Sequence, residues 1–300
     1  MLKKPILITG AGGYLGSVLV PMLLEKKYSV RAVSKSFRYD TTFLSRKFDK
    51  LEIVKADLTK QDSLKNLMAG AGAVVHLASL VGEKHCIEDP ALAKRVNVDL
   101  VKRVDKSRKD LPLIFLSSTH VYGNHKGKVC DETTPPKPEL VYAKSKYQAE
   151  LALRDAPNLI ILRAASFFGY APAVNFRMLV NDFVFQAVNN HRLEIYDDSL
   201  NRTFIHIKDV ARAVVFMLEN FSRLKNQTYN VGNNKLNYSK KEIADTIKSL
   251  VDFQLVIKAH SHNSDKRNFI VNYKKVERAG FKTSISFRRG IKELITKLND

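Results

Sequence analysis

The chain has no tryptophan and only two cysteines among its 300 residues. Cys86 and Cys130 cannot build a disulfide framework, and neither stands in the close spacing that a metal centre needs. Long uncharged apolar runs are missing as well. The best candidate, around Leu159 to Val174, contains Arg163 and Pro172 and reads as a buried strand followed by a loop. No membrane partner is therefore expected, and with no leader peptide in view a cytoplasmic location is. Acidic residues are in the minority, 30 against 50 basic ones, for a net charge of +20. The cations are scattered singly or in pairs such as Lys26-Lys27 and Lys240-Lys241, without a long block of like charge or interleaved aromatics. That pattern reads as a solvated surface; a nucleic-acid partner is not expected, and an anionic small molecule is compatible with it. With 45% apolar residues, the length suits one large domain or two interlocked ones.

Against these absences stands an ordered opening. Pro5-Ile-Leu-Ile-Thr9 reads as a short buried strand, and Gly10-Ala-Gly-Gly-Tyr-Leu-Gly16 follows it directly. From 13 to 27, Leu15, Val18, Leu19, Met22 and Leu23 recur on one helical stripe. Glycines at such a turn let the backbone approach a pyrophosphate, and the helix N-terminus favours its negative charge. Gly10, Gly13 and Gly16 are spaced three and three, so the motif alone is weak. Its place gives it weight, because it follows the first strand of an alternating series.

Further strands are expected at 30–34, 52–56, 73–77, 113–117 and 159–162, with helices at 64–69, 91–109 and 141–154. The alternation argues for an α/β fold, a doubly wound parallel Rossmann-type sheet with ligands at the carboxyl ends of its strands. Beyond Ser166 the regularity fails. Helices suit 176–189, 210–218 and 289–298, short strand and turn suit 192–202, and Ser239 with Glu242 forms a capping box before 243–251. Segments 204–207 and 229–232 are placed back in the main sheet. Residues 1–165 with 204–232 are thus expected to form a dinucleotide-binding domain, and 166–203 with 233–300 a smaller α/β C-terminal substrate lobe.

Two short stretches carry the chemistry, Leu116-Ser-Ser-Thr-His-Val-Tyr-Gly123 and Tyr142-Ala-Lys-Ser-Lys146. Tyr142 lies one helical turn before Lys146, on the same face. An ammonium there would stabilise the phenolate and draw a group that ordinarily titrates near ~10 toward neutrality. Ser118, at a strand end, could hold the oxygen from which that tyrosine removes a proton. With a hydride carrier, this is the equipment to oxidise a secondary alcohol or reduce a ketone.

Taken in order, these residues make the chain resemble the extended short-chain dehydrogenases/reductases, specifically the nucleotide-sugar epimerase/dehydratase family. The likeness runs almost end to end. It passes through Thr9-Gly-Ala-Gly-Gly-Tyr-Leu-Gly16, Asp57-Leu58, His76-Leu-Ala-Ser79, Asn97, Ser117-Ser118 with Val121-Tyr-Gly123, and Tyr142-Ala-Lys-Ser-Lys146. It continues through Arg163 with Phe168-Gly169, Arg202-Thr-Phe-Ile-His206 with Asp209-Val-Ala211, and Tyr229-Asn-Val-Gly232. The resemblance implies that Tyr142 is the acid/base, that Ser118 binds the reacting oxygen, and that Lys146 binds the nicotinamide ribose. It implies Gly10, Gly13, Tyr14, Leu15 and Gly16 at the pyrophosphate, Asp57 and Leu58 beside the adenine, and Leu77, Ala78, Ser79 and Asn97 along the dinucleotide. On the substrate side it implies Ser118, Thr119, Asn175 and Arg202, with Arg267 as a second diphosphate contact, Phe176 and Arg177 beside the sugar, and Cys86 near the nicotinamide. The implied substrate is a nucleotide-diphosphate sugar, and the implied assembly a homodimer formed through the helices at 91–109 and 141–154.

Three departures from the family pattern matter. Ser34, Lys35 and Arg38 stand where NAD-preferring members often carry a carboxylate; cations there suit a 2′-phosphate, so NADP is favoured over NAD. Thr119-His120 replaces the acidic pair of the dehydratases, so elimination of water is not expected. His120 holds the position of a cysteine in members that epimerise a carbon beside a keto group. An imidazole there either exchanges a carbon-bound proton or only hydrogen-bonds substrate or backbone, and both readings stay open. The expected reaction is 4-epimerisation or 4-keto reduction of a nucleotide sugar. A reductase of a non-sugar carbonyl compound and a non-catalytic dinucleotide-binding sensor are the alternatives.

Overall fold

A computed structural model describes residues 4–60, 63–196, 201–258 and 270–299. Among them, seven short apolar segments form a parallel sheet: β1 (Ile6–Thr9), β2 (Val30–Ser34), β3 (Leu51–Lys55), β4 (Ala73–His76), β5 (Leu113–Ser118), β6 (Leu159–Ala164) and β7 (Gln227–Val231). Their order across the sheet is β7-β6-β5-β4-β1-β2-β3. Side chains alternate between two cores: Ile6, Ile8, Val75 and Ile114 enter one, and Leu7, Val74 and Phe115 the other. Both faces are covered by helices, which is why these strands read as continuous apolar runs rather than alternating ones. The chain reverses direction across the sheet between β1 and β4, and a doubly wound sheet binds ligands in the crevice beyond that point.

Two register facts set up the crevice. Thr9 pairs with His76 at the ends of β1 and β4, and Ser118 pairs with Ala164 at the ends of β5 and β6. The first helix, Gly16–Glu25, starts later than its apolar stripe because the glycine turn occupies the residues before it. The helix expected over 91–109 is present as Pro90–Lys94 and Leu100–Arg108 joined by a π-helical turn, Arg95–Asp99. That wide turn buries Asn97 and Val98; single π turns of this kind often mark functional sites. The helix Val141–Ala152 is as expected within two residues, whereas the short helices Thr41–Lys47 and Glu83–Glu88 were not foreseen.

One expectation is corrected. The segment at 204–207 does not return to the main sheet. It lies within the strand Arg202–His206, parallel to Ser166–Phe168 and antiparallel to Asn237–Tyr238 in a three-stranded sheet. The reason is packing on both sides: Ile205 enters the core of the main sheet, and Phe204 enters a third core with Phe168, Val184, Ile243, Phe287 and Ile291. The strand is therefore the seam between the sheet and the smaller lobe. The capping box is formed as expected, with Glu242 N donating to Ser239 Oγ at 3.2 Å and Ser239 N to Glu242 Oε2 at 2.7 Å.

Candidate active site

The glycine turn is a place where backbone meets backbone. Gly10 has a φ of +70°, and a Cβ there would stand 2.6 Å from Ala78 N. A Cβ at Gly12 would stand 2.0 Å from Ser36 O, and one at Gly16 2.1 Å from Ala11 O. At Gly13 the same atom would meet only Gly10 O, at 3.2 Å. Gly10, Gly12 and Gly16 are thus required by the protein's own packing, and Gly13 leaves space beside the helix N-terminus. That opening fits close approach of a pyrophosphate. Gly12 was missed by sequence reasoning, although the Gly-Gly pair was its signal.

Three residues expected at the cofactor turn their side chains into the protein. Tyr14 OH donates to Gly169 O at 2.5 Å and accepts from Asn181 Nδ2 at 3.0 Å, which ties the turn to the smaller lobe. Leu15 is buried in the main core. Only their backbone is left for a ligand, because the turn before the helix buries both side chains. Leu58 is likewise buried, in the core with Leu64, Leu67 and Val101, rather than facing outward to an adenine.

At the end of β2, Ser34 Oγ donates to Ser36 O at 2.8 Å, and Lys35 Nζ lies 3.3 Å from Asp57 Oδ2. Hydrogen bonds from the Thr59 hydroxyl and backbone, with Lys35 adding to them, hold the Asp57 carboxyl down at about 2. Arg38 is exposed, and its backbone N–H donates to Gly12 O at 3.2 Å.

Asn97 ties two banks of the crevice together. Its Oδ1 accepts from Ser79 Oγ at 2.9 Å and Leu80 N at 2.7 Å, and its Nδ2 donates to Leu80 O at 3.1 Å and Ser145 Oγ at 2.9 Å. Ser145 Oγ in turn donates to Tyr142 O at 2.7 Å. Asn97 is 1% exposed, so it holds the segment that carries Leu77, Ala78 and Ser79 instead of facing the crevice itself. Below it, His76 Nδ1 lies 2.8 Å from Thr9 Oγ1, while His76 Nε2 is buried with no partner among the described residues. Burial, with the Lys146 charge adding to it, lowers His76 to about 3, so the ring is neutral.

Ser118 ends β5, and the helix Val141–Ala152, which carries Tyr142 and Lys146, packs against that strand. Ser118 Oγ accepts from His120 N at 3.2 Å, capping the short turn Thr119–Tyr122. His120 presents its ring edge to Tyr142, centroids 6.4 Å apart, and its Nε2 lies 3.3 Å from Ser166 Oγ. The acidity expected of Tyr142 needs correcting. Burial drives the phenol above its ordinary value, the Cys86 thiol pushes the same way, and a hydrogen bond with the Ser79 side chain opposes them. The same burial lowers Lys146 to about 7 against the pull of Glu150, and its Nζ lies 4.4 Å from the Phe115 ring centre. The raised phenol is therefore protonated at neutral pH, opposite in direction to what a lysine one turn away suggests.

Beneath this group lies a buried ion pair. Arg163 Nη2 is 2.7 Å from Glu150 Oε2, with side-chain exposures of 8% and 5%. Ser117 Oγ also donates to Glu150, and Arg163 Nη1 donates to Tyr122 OH at 3.2 Å. Of the residues expected at the substrate, Thr119 is fully buried and Asn175 Oδ1 accepts from Arg177 N at 3.1 Å. Arg177 Nη1 donates across the crevice to His85 Nε2 at 2.5 Å. Arg202 is 5% exposed and donates from Nη1 to Asn201 O at 3.0 Å. Arg267 lies outside the described residues. Among the described residues no cluster of His, Cys, Asp and Glu could hold a metal ion, and no helix is long and apolar enough to cross a membrane.

A seven-stranded Rossmann-type sheet with a glycine turn after its first strand is the fold of the extended short-chain dehydrogenases/reductases. The chain belongs to the NAD dependent epimerase/dehydratase family, whose profile matches residues 6–232. A Methanocaldococcus jannaschii protein, provisionally named as a UDP-glucose 4-epimerase, is 26% identical, with 97% of each chain covered. A UDP-glucose 4-epimerase from Thermotoga maritima, solved with UDP-glucose, superposes with a TM-score of 0.85 at 22% identity, covering 98% of both chains. A dTDP-glucose 4,6-dehydratase from Streptomyces venezuelae, solved with NAD, has a TM-score of 0.87 at 21% identity, covering 98% of this chain and 97% of that one.

Proposed function

We propose that the protein is a nicotinamide-dependent epimerase or reductase acting at a secondary alcohol or ketone of a nucleotide-diphosphate sugar. What supports this reading is that Ser118 ends β5 and that the helix carrying Tyr142 and Lys146 packs against that strand, in a sheet whose first strand runs into the glycine turn. Bound along that turn, a nicotinamide dinucleotide supplies the acceptor and donor of hydride. Tyr142, protonated by virtue of its burial, gives its proton to a carbonyl oxygen and takes it back from the carbinol. Ser118 holds the same oxygen through its hydroxyl. Lys146 sits one turn further along the helix, where its charge at and below neutral pH favours the phenolate that forms transiently.

The absence of a carboxyl pair at Thr119-His120 speaks against dehydration, and the substrate's diphosphate is assigned to Arg202. Residues 166–203 and 233–300 are assigned as the substrate lobe, and homodimerisation through Pro90–Arg108 and Val141–Ala152 and a cytoplasmic location complete the proposal. Lys35 and Arg38, with no carboxylate at the end of β2, support NADP over NAD even though structural relatives were solved with NAD. Ser34→Asp is expected to cost about tenfold in NADP affinity relative to NAD, one charge repulsion at short range; an unchanged preference would remove the phosphate argument.

The decisive assay offers UDP-glucose to the purified protein and follows dinucleotide absorbance and sugar products. UDP-galactose with retained dinucleotide identifies an epimerase. Oxidation of added NADPH by a 4-keto nucleotide sugar identifies a reductase. Activity on neither, together with no thermal stabilisation by UDP, GDP, CDP or dTDP, defeats the proposal.

A further inference from the structure

The helix that carries Tyr142 and Lys146 has no cap of its own. Its N-cap residue is Leu140, which offers no side-chain acceptor for the exposed N–H groups of the first turn. The acceptor comes instead from the opposite bank, 58 residues upstream. Glu83 Oε1 accepts from Val141 N at 2.8 Å, and Glu83 Oε2 accepts from Tyr142 N at 3.0 Å. One carboxylate thus satisfies two orphan donors and places a negative charge at the positive end of the helix dipole. One of those donors is the backbone N–H of Tyr142 itself.

Glu83 opens the six-residue helix Glu83–Glu88, and that helix is anchored independently. Cys86 Sγ contacts Leu80 O at 3.6 Å, and Leu80 is held at both its N–H and its carbonyl by Asn97. Two residues beyond Glu83, His85 accepts the guanidinium of Arg177 from the smaller lobe. The clamp therefore joins the loop after β4, the catalytic helix and the substrate side.

We propose that Glu83 is a positioning residue that fixes the Tyr142 phenol over the reacting oxygen by capping its helix from across the crevice. This rests on the proposed function for its catalytic consequence but not for its structural one.

The test compares Glu83→Ala and Glu83→Gln with the wild-type protein. Gln keeps one acceptor oxygen and turns an NH2 toward the second N–H, so it should fall between the other two. Amide hydrogen exchange across 141–146 is expected to run about fivefold faster in Glu83→Ala, the size of losing one helix cap. The turnover number in the assay that the wild-type protein satisfies, UDP-galactose formed from UDP-glucose or NADPH oxidised by a 4-keto nucleotide sugar, is expected to drop by about tenfold, because small misplacement of a reacting group is costly. KM and dinucleotide affinity should stay at wild-type values, which a general loss of structure would not spare. Wild-type exchange and turnover in both variants would overturn the proposal, as would parallel loss of turnover and dinucleotide affinity. If Glu83→Ala does not fold, Glu83→Gln decides by the same readings. A wild-type protein that neither converts UDP-glucose to UDP-galactose nor oxidises NADPH with a 4-keto nucleotide sugar counts against the proposed function, while the exchange data still judge the clamp.

Discussion

The crest of the main sheet and the border with the smaller lobe are built on different terms. Along the crest, backbone approaches backbone so closely that an added methyl at Gly10, Gly12 or Gly16 would fall within 2.6, 2.0 or 2.1 Å of main-chain atoms. At the border, the ties run through side chains reaching far along the sequence: Tyr14 to Gly169, Arg177 to His85, and Asp209 to the N–H groups of Ser284 and Ile285. Close backbone contact leaves little room for variation and suits a group common to many substrates. Side-chain ties can be exchanged one at a time, and the border is where substrate identity would be set.

The sharpest way to separate chemistry from scaffold is Tyr142→Phe. Turnover is expected to fall by about 10²–10⁴-fold, the usual share of a general acid/base, while calorimetry finds dinucleotide affinity unchanged. Near-normal turnover would move the acid/base role elsewhere, with His120 the neighbour to test next. Glu150→Ala breaks the buried pair under the catalytic helix and strands Arg163 in the core. We expect a loss of about 3–5 kcal/mol in urea unfolding, because an uncompensated buried charge is worse than none. A loss below about 1 kcal/mol would mean that Tyr122 alone can satisfy Arg163.

The contrast within the crest can be tested with two alanines. Gly12→Ala forces the Ser36 backbone away and should cost about 1–3 kcal/mol of stability. Gly13→Ala meets nothing in the protein but Gly10 O, so its melting temperature should hold while dinucleotide affinity falls. Equal effects of the two on stability would erase the distinction between packing and ligand glycines.

The last test concerns pH. Lys146 titrates at about 7 in the folded protein against 10.5 as the ordinary value. Between those values the unfolded chain holds a proton that the folded one lacks, so this group makes stability rise with pH across that window. The rise belongs to the dinucleotide-free protein and should be missing in Lys146→Met. Stability falling with pH over the same range in wild type alone would reverse the sign and the burial argument with it.

Much of the sheet was legible because strand and helix periodicity are local. β2 is at its expected residues, β4 and β5 differ from expectation by one residue at one end, and β3 is shifted by one residue. The strand Arg202–His206 was misplaced because its apolar residues suit either sheet, and only packing against Phe168 and Phe287 decides between them. The residues of the site were legible by type. Their environment was not: a tyrosine before a lysine looks acidic in sequence, and burial reversed that. Glu83 carries no local signal at all, since nothing at its own position announces a helix end 58 residues away.

The order of residues alone determined a doubly wound fold, a glycine turn after the first strand, and a serine, tyrosine and lysine at strand and helix ends. Those follow from backbone propensity and side-chain periodicity, which act over a few residues. Tertiary structure alone decided which glycines pack and which one leaves an opening, that the Tyr14 hydroxyl ties the turn to the smaller lobe, and that Glu83 caps the helix of Tyr142. Such outcomes depend on desolvation and on contacts between distant segments, and those exist only once the chain has closed on itself.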